Sequence, residues 1–246
     1  MKKSLLFLVF IFSTKGISQN NFHLSNAYNL NTIKVNVLGI PSNMISLKYE
    51  RLLLDKTTTF NLGVNYMFKS KVPYLNMFDT FIDSDKTLET LSNTKVSNFS
   101  IIPEIRFYLT DVEATGIYLA PFLRFDHYKA AVDYHYQYYD TTQSILLNGS
   151  LNAFGIGFSA GKQWKLGDNW YIDWNVINLT YHANSGKFIN ETKLTPEEQH
   201  YIKHGLDSFT FKNAKTISEV NENGASYSIK MKNFIPRMAL SIGRRF

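Results

Sequence analysis

The chain has 246 residues, 44% of them hydrophobic and 15% aromatic, with 26 basic against 20 acidic side chains and a formal charge of +6. It has no cysteine, which excludes a disulfide framework, a zinc–thiolate site and an acyl anchor on cysteine. Lys2, Lys3 and Lys15 lie in or near the first eighteen residues; without them the charge falls from +6 to +3, too mild a balance to suggest nucleic acid.

Residues 1–18 read as a secretion signal. Lys2 and Lys3 precede an apolar run from Leu5 to Phe12, and Gly16-Ile17-Ser18 forms a small-x-small site before Gln19. The run is under half of the ~20 residues that a spanning helix needs. Residues 19–246 are then expected to form one domain.

Eight segments alternate with a period of two, the signature of strands with two unlike faces. The first sets Ile33, Val35 and Val37 against Lys34 and Asn36, and the second Ile45, Leu47 and Tyr49 against Ser46, Lys48 and Glu50. The third runs Phe60, Leu62, Val64, Tyr66, Phe68; the fourth Phe99, Ile101, Ile105, Phe107, Leu109, opposed by Ser100, Glu104 and Arg106. The fifth carries Leu119, Leu123 and Phe125 against Ala120 and Arg124. The sixth opposes Phe154, Ile156, Phe158 and Trp164 to Gly155, Gly157, Ser159 and Gly161. The seventh opposes Trp170, Ile172, Trp174 and Val176 to Asp173 and Asn175; the last sets Met238, Leu240, Ile242 and Phe246 against Arg237, Ser241 and Arg245.

Alternation alone does not separate a soluble barrel, apolar inside, from a membrane barrel, apolar outside. The polar face is rich in Gly and Ser, which suits a crowded lumen. Aromatics gather at strand ends (Phe68, Phe107, Trp164, Trp170), as an interfacial girdle requires. Connectors also segregate by parity. Those at Asp55-Lys56, Asp111 to Gly116 and Gly167-Asp168-Asn169 are short; those over 69–94, 131–150 and 182–232 are long. The expectation is an all-β, eight-stranded antiparallel up-and-down transmembrane barrel, with both ends of the chain on the short-turn side and structured extracellular loops. Pro103 and Pro121 fall mid-strand on the apolar face, where a missing N–H predicts bulges.

The leader, the Ile33-to-Phe68 run with Tyr49-Glu50-Arg51, the paired Pro103-Glu104-Ile105-Arg106-Phe107 and Pro121-Phe122-Leu123-Arg124-Phe125 segments, Pro196-Glu197-Glu198-Gln199 and the terminal Phe246 resemble the uncharacterised small outer-membrane β-barrel proteins common in Bacteroidota. The resemblance implies the outer membrane of a Gram-negative bacterium after removal of the leader, with outer-membrane lipid and the barrel-assembly machinery as partners and Phe246 as assembly signal. Arg244 departs from the apolar residue usual two before the end. The family implies no enzymatic role and no cofactor.

Lys34, Lys48, Glu50, Glu104, Arg106, Arg124, Asp173, Arg237 and Arg245 form an expected inward charge set. In a narrow barrel filled by side chains, such charges must pair or be hydrated. They read as an ion-pair plug or, since basic residues predominate, as a gated ion path or anion site. Tyr134, Tyr136, Tyr138 and Tyr139 offer flat faces and hydroxyls to a protein or glycan, or pack between strands projecting above the membrane. Thr195-Pro196-Glu197-Glu198 is a capping-box helix start with Ile202 and Leu206 as its apolar stripe, followed by a hairpin around Asn223-Gly224.

His200 and His204 sit at metal spacing but lack a third ligand, so no metal is expected. The six histidines, His23, His127, His135, His182, His200 and His204, form no nucleophile–base pattern; Asp126-His127 with Ser144 or Ser150 is the nearest approach. The leading role is therefore non-enzymatic, structural or surface-interacting through the long loops. The alternatives are a lipid A- or phospholipid-modifying enzyme, or a subunit of a secretion or nutrient-uptake assembly.

Overall fold

The computed structural model describes residues 30–53, 56–73, 75, 85–110, 114–209, 211 and 213–246; the leader expected at 1–18 and His23 lie outside the described residues. Among the described residues nine strands follow in order: β1 (Asn31–Asn36), β2 (Met44–Leu52), β3 (Thr58–Lys71), β4 (Lys95–Tyr108), β5 (Gly116–Tyr138), β6 (Thr141–Leu166), β7 (Trp170–Asn190), β8 (Ala214–Asn221) and β9 (Gly224–Arg245). Helix α1 (Asp85–Asn93) precedes β4, and α2 (Pro196–Ser208) precedes β8. All pairings are antiparallel. β1 to β7 pair in sequence, β7 pairs β9, and β9 pairs β1, which closes a ring of eight; β8 pairs β9 from outside the ring. At the seam, Asn31 and Phe246 exchange backbone hydrogen bonds of 3.2 and 2.8 Å. Gly167 turns the chain from β6 into β7 at φ +62°, a left-handed value that favours glycine.

The two faces of the ring are inverted relative to a soluble barrel. Outward lie exposed Ile33, Leu47, Phe60, Val64, Phe68, Phe99, Ile105, Phe107, Leu123, Phe125, Phe154, Ile156, Trp170, Trp174, Leu179 and Met238. On single strands this band runs from Phe60 to Phe68, from Phe99 to Phe107 and from Phe234 to Ile242, near the roughly 9–11 residues that a tilted strand spends crossing a bilayer. Inward, small residues make room for large ones. A Cβ on Gly157 would collide with the Phe122 ring, and one on Gly161 with the Tyr118 ring.

The ring does not stop where the apolar band stops. β5 and β6 stay paired from Ala131↔Asn148 up to Tyr138↔Thr141, β7 and β9 up to Asn190↔Ala225, and β8 joins the same projecting sheet. The segment expected as a loop over 131–150 is therefore a hairpin extension, and 182–232 holds the end of β7, helix α2, β8 and the start of β9. Within the extension the inner face becomes apolar. Val132, Tyr134, Tyr136, Ile145, Leu147, Tyr227 and Ile229 pack with Ile202, Leu206 and Phe209 from α2 and its C-cap. The expected capping box is present: Thr195 accepts from the Glu198 backbone N–H, and the Glu198 side chain accepts from Thr195 N at 2.8 Å. The β8–β9 hairpin turns at Glu222-Asn223, with Asn221 opposite Gly224.

The prolines overturn one expectation. Neither produces a bulge: β3–β4 passes through Leu62↔Pro103, and β5–β6 through Pro121↔Phe158, with register unchanged. The missing donors thin the seam between their two strands instead. The β4–β5 ladder keeps Ile101↔Phe125, Glu104↔Phe122 and Phe107↔Leu119 but has no rung at either proline. Register shifts occur elsewhere, at Met67/Ser70, Ala160/Gly161 and Asn175/Asn178.

Candidate functional site

Inside the ring, seven of the nine expected charges, Lys34, Lys48, Glu50, Glu104, Arg106, Asp173 and Arg245, lie in a lower cluster to which every ring strand contributes. Asp173 is the hub: its Oδ2 accepts from Lys34 Nζ at 2.8 Å and Arg106 Nη1 at 2.6 Å, and its Oδ1 from the Tyr118 hydroxyl at 2.8 Å. Lys34 also pairs with Glu50 at 2.6 Å and bonds Gln163. Arg106 pairs with Glu104, which takes Lys48 at 3.3 Å. Glu50 Oε1 accepts from Thr59 at 2.8 Å and Tyr108 at 2.9 Å. Arg245 lies over the Tyr171 ring at 4.3 Å with Thr32 beside it. Lys34, Lys48 and Arg106 balance Glu50, Glu104 and Asp173. A buried charge is tolerable only with such partners.

Arg124 and Arg237 belong to a second, upper cluster. Arg124 clamps Asp126 at 2.8 Å and donates to Ser100, which also bonds Asp126. His182 Nδ1 stands 3.8 Å from Asp126, and Arg237 Nη1 reaches Thr180 and His182 Nε2, each at 3.3 Å. Asp126 and His182 escaped the sequence reading as lumen residues. The two-residue period counted from Arg124 would have put Asp126 on the inner face. The same period separates the Asp126-His127 pair: Asp126 points inward, while His127 bonds Asn152 at 2.7 Å on the outside. Ser144 and Ser150 are paired opposite His135 and Lys129, so no nucleophile, base and acid converge there.

The tyrosines divide. Tyr134 and Tyr136 are buried beneath α2 and cannot serve as contact surface, because the extension's inner face is a closed core. Tyr138 and Tyr139 reach the tip, where the Tyr138 ring meets Tyr139 and Tyr201 edge-on, Tyr139 meets Tyr201 at a tilt, and the Tyr138 and Tyr139 hydroxyls donate to Glu197 at 3.1 and 3.3 Å. His200 packs against the Tyr201 ring. His204 lies one turn further along α2. No group of three or more potential metal ligands occurs among the described residues.

Burial pushes the Tyr134 and Tyr227 phenols up to about 12. An unfolded chain releases these protons near pH ~10, so between about 10 and 12 the folded extension binds more protons than the unfolded one. Its stability is complete below that window and declines as pH rises through it. The extension is expected to loosen above pH ~10, read as hydrogen exchange in α2, and Tyr227→Phe should blunt the decline. An alkaline titration that leaves α2 equally protected would contradict this.

A family model described as a protein of unknown function (DUF3575) matches residues 25–208. No curated protein matches the chain. Among solved structures, the beta domain of the Bordetella autotransporter BrkA aligns over 89% of this chain and 98% of its own, at 11% identity and a TM-score of 0.32, a likeness that carries no argument.

Proposed function

The chain belongs to the DUF3575 family of proteins of unknown function, and we propose that it is a non-enzymatic outer-membrane barrel whose role resides in its folded extension. One observation carries this reading: the exchange of polarity along single strands. On β5, outward Leu119, Leu123 and Phe125 give way to His127 and Lys129, while inward Arg124 and Asp126 give way to Val132, Tyr134 and Tyr136. The lower part is built for an apolar surround and the upper part for water. The lower lumen is crowded with paired side chains, which suits a plug rather than a pore. The tip cluster of half-buried Tyr138 and Tyr201 with exposed Tyr139 is the proposed contact surface for a protein or glycan.

The test is reconstitution in lipid. The three tryptophans, Trp164, Trp170 and Trp174, are all exposed on the outer face of the ring. In bilayers with brominated acyl chains their emission should be strongly quenched, and unboiled protein should migrate differently from boiled protein on gels. Unquenched emission with a folded ring would sink the membrane reading. Lipid A mass spectra should be the same with and without the protein.

A further inference from the structure

The outward face changes character along definable rows. The last apolar row runs Ile101–Phe125–Phe154–Ala183–Lys232 across β4, β5, β6, β7 and β9. One step up it reads Phe99–His127–Asn152–Ser185–Lys230–Lys215, the last residue on β8. The next reads Ser97–Lys129–Ser150–Lys187–Ser228–Ile217. Lys129, Lys187, Lys215, Lys230 and Lys232 thus fall within neighbouring rungs, all exposed.

Three features set this stripe apart from an ordinary solvated face. Lys215 and Lys230 are directly opposed across strands, an arrangement that is destabilising without a counter-charge. Among the described residues, ion pairs involve other side chains and none of these five lysines. The carboxylates on the same face, Asp133 and Glu219, stand farther from the apolar band, opposite Leu146 and Ser226. Between the lysines lies a shallow groove of about 320 Å³, lined by Ser150, Asn152, Ser185, Lys187, Ser228 and Lys230, a set rich in donors. Below it, the Tyr181 and Phe234 rings meet at a tilt with centroids 4.9 Å apart, both exposed near the top of the band.

We propose that this stripe binds the phosphate groups of lipid headgroups in the leaflet that meets the upper edge of the band. The proposal rests on the membrane reading above. Its specific content is that the lysines select phosphate-bearing anionic lipid from the shell of lipid around the barrel. Charge complementarity and height above the band are what assign the occupant. Ammonium groups and hydroxyls at headgroup level can all donate to phosphate oxygens, and the anion relieves the Lys215–Lys230 opposition.

The experiment places the barrel in phosphatidylcholine bilayers containing a trace of spin-labelled phosphatidylglycerol or spin-labelled phosphatidylcholine. The immobilised fraction of each gives their relative association with the protein. Native protein should prefer phosphatidylglycerol, and the preference should weaken as salt rises. K187Q/K215Q/K230Q/K232Q should lose it by fivefold or more, roughly the effect expected of even one lysine at an anionic surface. The charge-keeping variant with four arginines should retain it, and K162Q/K165Q, at the opposite edge, should change it far less. Equal immobilisation of the two lipids by native protein, or an unchanged preference in the glutamine variant, overturns the proposal. Failure of the tryptophans to be quenched in any bilayer overturns the membrane reading beneath it instead.

Discussion

Asp173→Leu is expected to destabilise the ring by about 3–5 kcal/mol, the cost of removing one partner from a buried ion set. The carboxylate receives Lys34, Arg106 and Tyr118 at once. After substitution Lys34 keeps Glu50 and Arg106 keeps Glu104, but only two carboxylates remain where three balanced three cations. Asp173→Asn preserves the acceptor for Tyr118 and should fall between the two. A urea titration of barrel inserted in vesicles, followed by heat-modifiable mobility, measures the loss. The compensated variant R106M/D173L sharpens the test, because it leaves Lys34 with Glu50 and Lys48 with Glu104. If the cluster matters as balanced charge, removing one cation along with the carboxylate should recover much of the stability, since well-packed apolar replacements of buried ion sets are often neutral. A single Asp173→Leu change that leaves the midpoint unmoved would mean that water, not Asp173, neutralises the lumen. Steady conductance in that variant, absent from native protein, would add that the cluster is the plug.

How much of this was legible in the chain depends on the period involved. Eight runs of period two gave the eight ring strands, because each strand has one face toward an apolar surround and one toward a polar interior, and the contrast survives residue by residue. The same signal broke down above the band. From His127 to Tyr138 on β5 the apolar face moves from outside to inside, so the pattern changes phase, and a phase change within one strand reads as the end of a strand. That is why residues 131–150 looked like a loop and Tyr134 and Tyr136 looked available for contact. Helix α2 was legible because its signals are local: Thr195, Pro196 and Glu198 cap it whatever surrounds them. β8 was legible as one arm of the hairpin expected around Asn223-Gly224, but its place outside the ring was not, because that is set by its partner β9. The prolines misled for a related reason. A bulge is one way to absorb a missing donor, and two prolines on facing strands permit another, a thinned seam between them. Asp126 was missed by reading it with its chain neighbour His127 rather than with Arg124, two residues away on the same face.

I202A/L206A should unfold α2 while leaving the ring intact. Both side chains are fully buried against the extension's core, and each truncation costs about 2–5 kcal/mol by the usual transfer and cavity terms. They lie four residues apart on one helix face, so the two costs will not simply add. Loss of that anchor is decisive because a helix of 13 residues is marginal alone in water; the Thr195–Glu198 capping box is worth only about 1 kcal/mol and cannot hold it. The cluster at the tip should loosen with it, since Tyr201 is on α2 and Glu197 ties Tyr138 and Tyr139 to the helix. The ring has a separate source of stability in its ladder and its charge cluster, so the unfolding should be local. Hydrogen exchange should rise across residues 196–208, with the heat-modifiable shift and tryptophan quenching unchanged. Should the ring lose its own midpoint in the same variant, extension and ring form one cooperative unit. The surface that the extension presents could then not vary without risk to the barrel that holds it.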